Sequence, residues 1–253
     1  MRLALTALSL ALLLPSVATA QANRPAKGKG PKTVELKAAD GLQIRGDLYA
    51  TGNKSGPVIL LCHQARSSRG EYRKIAPRLQ AAGYTCLALD QRSGAEWEGV
   101  ANETARRAKA AGKTADYLSA RQDIEAGIKW LRGQGYRGKL ALWGSSYSAS
   151  LVLVVGSKSK EVSAVLSFSP GEYFRPKKDF VRSAVGGLAK KPVLIVSPAK
   201  ERKQAEPIGA AIPSAKLVID AKILHGSRTL VRSPLAETLW TRDVLPFLKK
   251  ALR

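Results

Sequence analysis

Six short runs of apolar residues along the chain predict buried β-strands. They are Val58 to Cys62, Leu87 to Leu89, Leu140 to Trp143, Val162 to Leu166, Val193 to Val196 and Leu217 to Ile219. None shows the regular alternation of apolar and polar residues that marks a strand with one wet face. Strands without a polar face are buried on both sides, so the runs predict a parallel sheet covered by helices.

A different pattern precedes these runs. Thr33 to Lys37 and Leu42 to Tyr49 alternate apolar and polar residues on either side of Asp40-Gly41. This arrangement predicts an antiparallel hairpin at the start of the domain, because an Asp-Gly pair favours the tight turn that joins two such strands.

Helical spacing fills the gaps between the predicted strands. Apolar residues recur at three- and four-residue intervals in 72–82 and 117–131, and a final helix is expected over Leu235 to Leu252 with a kink at Pro246. Strands that alternate with helices predict a doubly wound α/β fold, whose sites lie at the carboxyl ends of the strands. The segment Ser167 to Lys191 is too short for a large lid.

The first 20 residues have the layout of a secretory signal peptide. Arg2 precedes an apolar run from Leu3 to Leu14, and Ala18-Thr19-Ala20 forms the small-residue ending after which cleavage is expected. The apolar run is shorter than the roughly 20 residues that a bilayer-spanning helix needs. We therefore expect export to the periplasm or the medium without a stable membrane anchor, a flexible basic tail over 21–32, and one folded domain over 33–253.

Composition narrows the kinds of site that the domain can hold. The 42 Lys and Arg against 19 Asp and Glu give a formal charge of +23, but the basic residues are scattered in pairs and aromatic residues make up only 6%. This distribution does not indicate a specific nucleic-acid site. Two Cys and two His exclude a disulfide-rich scaffold and a four-thiolate zinc site. We expect no metal and no cofactor.

The strongest chemical motif follows the run Leu140 to Trp143. Gly144-Ser-Ser-Tyr-Ser148 leads into an apolar, helix-like stretch, which places Ser146 on a sharp turn between a strand and a helix. Such a turn exposes a serine hydroxyl as a nucleophile. The usual pattern is G-x-S-x-G, and here Ser148 replaces the second glycine.

A serine nucleophile needs a base and an acid that orients the base. His225 is the only histidine after Ser146, and it follows the last predicted strand. Glu201 follows the strand Val193 to Val196, which gives the chain order nucleophile, acid, histidine. Glu206 is the competing carboxylate, but it falls in an amphipathic stretch typical of an exposed helix.

The loop after Val58 to Cys62 is expected to complete an oxyanion hole. Two N–H donors are needed, and we assign them to Tyr147, directly after the nucleophile, and to Ala65. His63 and Asp90 also follow predicted strands. We interpret both as residues that brace loops under the site, because the triad already has its base and its acid.

These motifs together resemble the α/β-hydrolase superfamily, and within it the lidless dienelactone-hydrolase-like branch. The resemblance covers about Val34 to Leu252 and rests on the following segments in order: Cys62-His63-Gln64-Ala65, Leu89-Asp-Gln-Arg-Ser-Gly94, Trp130-Leu131, Gly144 to Ser148, Glu201 and His225. Dienelactone hydrolases themselves carry a Cys nucleophile, and Asp is commoner than Glu as the acid. The resemblance implies an ester or related acyl bond as the substrate.

The sequence therefore predicts an exported serine hydrolase that cleaves carboxylic esters, in small molecules or attached to polymers, through an acyl-enzyme. Gln64, Arg66 and Arg92 are candidate substrate-binding residues. Five cations near the predicted site loops would favour anionic substrates: Arg66, Arg92, Arg175, Lys200 and Arg202. The alternatives are a non-catalytic polyanion-binding protein on a hydrolase scaffold and a small serine peptidase of the same superfamily.

Overall fold

Eight strands form one sheet in the computed structural model, which describes residues 30–174 and 178–253. The strands are β1 Lys32–Lys37, β2 Gln43–Tyr49, β3 Val58–Cys62, β4 Thr85–Leu89, β5 Leu140–Ser145, β6 Val162–Phe168, β7 Val193–Pro198 and β8 Ala215–Asp220. Their order across the sheet is β1-β2-β4-β3-β5-β6-β7-β8. The predicted signal peptide, most of the predicted tail and Arg175 lie outside the described residues, so those expectations stay predictions.

The pairing directions confirm the predicted fold class. β1 and β2 form the N-terminal antiparallel hairpin, and β2 also runs antiparallel to β4. Every other pair, from β4 through β3 and β5 to β8, is parallel. The first strand starts at Lys32, which pairs with Leu48 and so belongs to the sheet and not to the tail.

Helices cover both faces of the sheet. The α-helices are α1 Ala76–Ala81, α2 Glu103–Ala110, α3 Arg121–Gly133, α4 Tyr147–Lys158, α5 Phe180–Ala184, α6 Arg202–Ala210, α7 Thr229–Arg232, α8 Ala236–Thr238 and α9 Leu245–Leu252. Short 3₁₀ turns occur at Arg69–Tyr72, Gly186–Leu188 and Ala199–Glu201. In the described part of the segment between β6 and β7 only α5 and one 3₁₀ turn are present, which agrees with the absence of a large lid.

The core has two halves because successive strand residues point to opposite faces. In β3, Leu60 and Cys62 pack into one hydrophobic cluster, whereas Ile59 and Leu61 pack into the other. All five residues of β3 are fully buried, and the same holds for β4. These unbroken apolar runs therefore correspond to strands covered on both sides. The prediction is wrong for the run Leu217 to Ile219, because β8 lies at the edge of the sheet and its residues are only half-buried or exposed.

The last predicted helix is divided into three segments. α8 is followed by a π-helical segment, Leu239–Val244, and then by α9, in which Pro246 lies in the first turn. Proline has no N–H, so a regular α-helix cannot continue through it without losing a hydrogen bond. The helix type therefore changes just before the proline, while the predicted kink at Pro246 stays a prediction.

None of the helices in the described ranges combines the length and the apolar character needed to cross a bilayer.

Candidate active site

Ser146 forms the whole connection between β5 and α4. Its backbone has φ 58° and ψ −124°, a conformation that is strained for a residue with a side chain. Its N–H donates to the Phe168 carbonyl at 2.8 Å, which holds the turn against the end of β6. Gly144 is required two residues earlier, because a Cβ there would lie 2.3 Å from the Ser148 carbonyl oxygen.

Ser148, which replaces the second glycine of the usual pattern, has a defined role. Its buried hydroxyl lies 2.6 Å from the His63 carbonyl and 2.9 Å from the Gln91 side-chain oxygen. The residue ties the first turn of α4 to the loop after β3. The departure from the usual motif is therefore accommodated by contacts with the loops that follow β3 and β4.

The three residues predicted as a triad lie within hydrogen-bonding distance of one another. His225 Nε2 is 2.8 Å from Ser146 Oγ, and His225 Nδ1 is 2.8 Å from Glu201 Oε1. An ionised carboxylate only accepts hydrogen bonds, so Nδ1 carries the imidazole proton and Nε2 is free to accept the Ser146 hydroxyl proton. This is the arrangement that general-base activation of a serine requires.

The geometry separates the two candidate carboxylates. Glu201 ends the 3₁₀ turn after β7, and its side chain is only 16% exposed. Burial raises the pKa of Glu201, but the hydrogen bond from His225 and the attraction of nearby positive charge outweigh it, so the pKa lies below its usual value. Glu206 is exposed on α6 and pairs with Arg202 at 3.2 Å.

The loop that carries His225 is fastened to the neighbouring strands. Gly226 N–H donates to Ser169 Oγ at 3.0 Å, and Ser227 N–H donates to Ser145 Oγ at 2.9 Å. Gly226 has φ +73°, and a Cβ there would lie 2.5 Å from Ser145 Oγ. These contacts fix the histidine position. Sequence reasoning gave no role to either serine, because Ser145 occupies a variable position of the nucleophile motif and Ser169 stands outside any motif.

The two predicted oxyanion donors are backbone N–H groups without an acceptor among the described residues. Tyr147 is the first residue of α4, where the helix dipole favours negative charge. Ala65 follows Gln64, whose N–H donates to Glu71 Oε2 at 2.8 Å. The buried Glu71 carboxyl thus holds the loop that presents Ala65.

Glu71 is a second residue that the sequence did not reveal. It is buried, and its Oε1 has no hydrogen-bond partner among the described residues. Burial raises the pKa of its carboxyl. It lies in the 3₁₀ turn after β3, where a single glutamate in a polar loop gives no sequence signal.

His63 and Asp90 brace loops, as the sequence predicts. His63 is fully buried, with Nδ1 2.7 Å from the Gln64 carbonyl and Nε2 accepting from the Gln91 N–H at 2.8 Å. Asp90 is also fully buried and accepts from the backbone N–H groups of Arg69 and Glu103. Neither side chain takes part in the Ser146, His225, Glu201 arrangement.

His63 is expected to make the protein sensitive to acid. Burial lowers the pKa of His63 to about 4, so between pH 6.5 and 4 the unfolded chain binds a proton that the folded chain excludes. Folding stability is then present above the unfolded pKa and is lost as the pH falls. The loss attributable to His63 is about 3 kcal/mol across this window. Urea unfolding at several pH values measures it.

The control is His63→Gln, which removes the titrating group. Its stability should fall less steeply than that of wild type below pH 6.5, while both proteins keep the same slope between pH 7 and 9. Equal slopes in the acid window would contradict the expectation.

The structure corrects the prediction that Arg92 binds substrate. Arg92 is only 1% exposed, and its guanidinium donates to Asp123 at 2.8 Å and to Asp40 at 2.8 Å. Its charge is therefore already matched inside the protein. Gln64 is similarly buried, and its side-chain oxygen has no exposed surface. Arg66 is exposed, and its predicted contact with substrate stays a prediction.

Replacing Arg92 should affect stability more than substrate binding. Arg92→Ala leaves the fully buried Asp123 carboxylate without its cation, which typically costs about 3–5 kcal/mol. Arg66→Ala, on the exposed loop, is the matched control and should change stability by less than about 0.5 kcal/mol. Urea denaturation measures both. An Arg92→Ala protein of wild-type stability with a raised KM would restore the original prediction.

Two tyrosines that the sequence did not single out contact residues of the site. The Tyr173 hydroxyl donates to the Ser169 carbonyl at 3.0 Å. Burial raises the pKa of Tyr173 to about 12. Tyr117 stacks on Tyr147 with ring centroids 4.5 Å apart. Periodicity placed Tyr117 in a helix over 117–131, but the helix begins at Arg121 and Tyr117 lies in the turn before it. Tyr173 stands in no periodic pattern.

The chain resembles known proteins more in its three-dimensional structure than in its sequence. No protein-family model matches it. The thiohydrolase apmlB of Arthrinium phaeospermum is 30% identical over 140 residues, which are 54% of this chain and 42% of that protein, so the match spans less than half of the relative.

Solved structures match over most of the described chain. A dienelactone hydrolase from Anabaena variabilis has a TM-score of 0.68 and 20% identity, covering 89% of this chain and 100% of its own. An esterase from Pyrococcus furiosus has a TM-score of 0.66 and 21% identity, covering 88% of this chain and 93% of its own. The chain has the α/β-hydrolase fold, and its resemblance to dienelactone hydrolases is confirmed at the level of the fold.

Proposed function

We propose that this protein is a serine hydrolase that cleaves carboxylic esters through an acyl-enzyme. The observation that carries the proposal is the position of His225, with one ring nitrogen 2.8 Å from Ser146 Oγ and the other 2.8 Å from Glu201. The strained turn at Ser146 supports it, because that conformation is costly and serves to expose the hydroxyl.

In the first half of the reaction, Ser146 Oγ bonds to the ester carbonyl carbon while His225 Nε2 takes the hydroxyl proton. The carbonyl oxygen becomes negative, and the N–H groups of Tyr147 and Ala65 are the donors that would stabilise it. When the intermediate collapses, the bond to the alcohol breaks and His225 returns the proton to the leaving oxygen. Water then attacks the acyl carbonyl carbon while His225 Nε2 takes one of its protons. The bond to Ser146 Oγ breaks, the acid leaves, and His225 returns the proton to Ser146.

The comparisons support hydrolase activity, but they do not agree on one class of substrate. The structural neighbours named above are an esterase and a dienelactone hydrolase, and the relative that matches in sequence is a thiohydrolase. The last name makes thioesters the second candidate class. The same attack by Ser146 would apply to a thioester, with a thiol in place of the alcohol as leaving group.

The rival hypothesis of a non-catalytic polyanion-binding protein loses one of its two arguments. It rested on the high charge and on Ser148 in place of glycine, and the Ser148 hydroxyl is accommodated by contacts with His63 and Gln91. Fewer of the predicted cations are also available to attract an anionic substrate. Arg92 is buried, and the exposed Arg202 pairs with Glu206. Of the four predicted cations that the structure describes, Arg66 and Lys200 are therefore the ones that are exposed without a carboxylate partner among the described residues.

Labelling with a fluorophosphonate probe tests the proposal. The probe reacts with activated serines, and we expect one label per folded chain, mapped by peptide mass spectrometry to the peptide with Ser146. Protein unfolded in urea is the control and should not react. No label, or a label on another serine, would contradict the proposal. Parallel assays with an ester and a thioester of the same acyl group rank the two substrate classes.

A further inference from the structure

Tyr117 presents an aromatic surface next to Tyr147, the residue that follows Ser146. The two large hydrophobic side chains that the described part of the chain exposes are Tyr117 and Leu118, each at 38%. Large apolar side chains at the surface mark binding sites when they adjoin a cavity. Tyr117 lines such a cavity, whereas Leu118 is absent from the lining of that cavity.

The Tyr117 ring is held in place from one side. It stacks on Tyr147 with an angle of 17° between the rings, and the Tyr147 hydroxyl is bound by Ser93 Oγ at 2.6 Å. Tyr147 itself is buried and directly follows Ser146. One face of Tyr117 is therefore occupied by a fixed ring, and its exposed part is available to a ligand.

The cavity next to Tyr117 is large enough for part of a substrate. Its volume is about 710 Å³, and its lining includes Ser93, Gly94, Lys109, Lys113 and Tyr117. Ligand sites in proteins usually measure about 300–1,000 Å³. Two of the lining residues, Ser93 and Tyr117, also contact the Tyr147 side chain, the first by a hydrogen bond and the second by ring stacking. The cavity therefore adjoins Tyr147, the residue that directly follows Ser146.

Charge does not dominate this cavity. Lys113 donates to the Asp40 carbonyl at 2.6 Å, and the Arg92 charge is matched by Asp40 and Asp123. Lys109 and Asp116, also in the lining, have opposite signs. The feature left to recognise a ligand is the face of Tyr117.

We propose that the Tyr117 cavity is a substrate subsite that takes an aromatic ring by stacking, so the enzyme prefers esters with an aryl group a few bonds from the scissile carbonyl. The inference rests on the proposed ester hydrolysis at Ser146. Aromatic pairs prefer offset stacking with centroids about 4.5–7 Å apart, which a ligand ring can adopt on the exposed part of Tyr117.

Matched substrate pairs test the subsite. The first pair, methyl 3-phenylpropanoate and methyl 3-cyclohexylpropanoate, carries the aromatic or saturated ring on the acyl side. The second pair, benzyl acetate and cyclohexylmethyl acetate, carries it on the alcohol side. In at least one pair we expect kcat/KM to favour the aromatic ester by about 3- to 10-fold, the size of one aromatic contact. Tyr117→Leu should abolish the preference, and Tyr117→Phe should keep it.

Leu118→Ala is the matched control, because Leu118 is equally exposed but does not line the cavity. It should leave the ratio unchanged. The ratio within a pair is the informative quantity, since a general loss from disturbing Tyr147 affects both esters alike. Absence of aromatic preference in both pairs, or its persistence in Tyr117→Leu, would overturn the subsite while ester hydrolysis stands. No hydrolysis of any of the four esters together with no probe label would overturn both.

Discussion

Replacing Ser146 with alanine should lower kcat for ester hydrolysis by about a million-fold, the loss found when a triad serine is removed from a serine hydrolase. The size of the effect follows from the chemistry. Without Oγ there is no acyl-enzyme, and His225 and Glu201 then have no serine to activate. The residual rate would come from the oxyanion donors and substrate binding alone. Steady-state kinetics on highly purified protein measure it.

The control for Ser146→Ala is Ser183→Ala, which changes an exposed serine on α5. That variant should keep wild-type turnover and probe labelling. The Ser146→Ala protein should be folded, since alanine removes only a hydroxyl, and its circular dichroism and urea midpoint establish this. Turnover within tenfold of wild type in a folded Ser146→Ala protein would exclude Ser146 as the nucleophile.

Replacing Glu201 with glutamine should lower kcat by about 10⁴-fold, as the corresponding change does in a serine-protease triad. Glutamine has the same shape, but its amide N–H₂ can donate to His225 Nδ1. The imidazole proton then moves to Nε2, which faces Ser146 at 2.8 Å and must be free to accept the hydroxyl proton. The wrong tautomer and the lost negative charge both disfavour the imidazolium that forms during attack.

Glu206→Gln separates the two carboxylates that the sequence left in competition. Glu206 is exposed and pairs with Arg202 on the surface of α6, so its neutralisation should change kcat by less than about twofold. KM should be little affected in either variant, since neither carboxylate is placed to bind the ester. A large loss in Glu206→Gln with normal activity in Glu201→Gln would reverse the assignment.

The architecture could be predicted from the sequence alone, because the burial of a strand determines which of its residues are apolar. Strands covered on both faces need unbroken apolar residues, and the six runs correspond to the strands β3 to β8, although β8 at the edge of the sheet is only half-buried. The order of Ser146, Glu201 and His225 could also be predicted, because each follows a strand and parallel strands bring their carboxyl ends to one edge. The structure places all three within hydrogen-bonding distance.

Only the tertiary structure decided which polar residues face inward. Arg92 follows a strand as the triad residues do, yet it is neutralised by Asp40, 52 positions away in the chain, and by Asp123, 31 positions away. Glu71, Ser169 and Tyr117 gained their places from contacts with distant segments. Such contacts have no period in the sequence, because hydrogen bonds and ring stacking depend on distances in space and not on spacing along the chain.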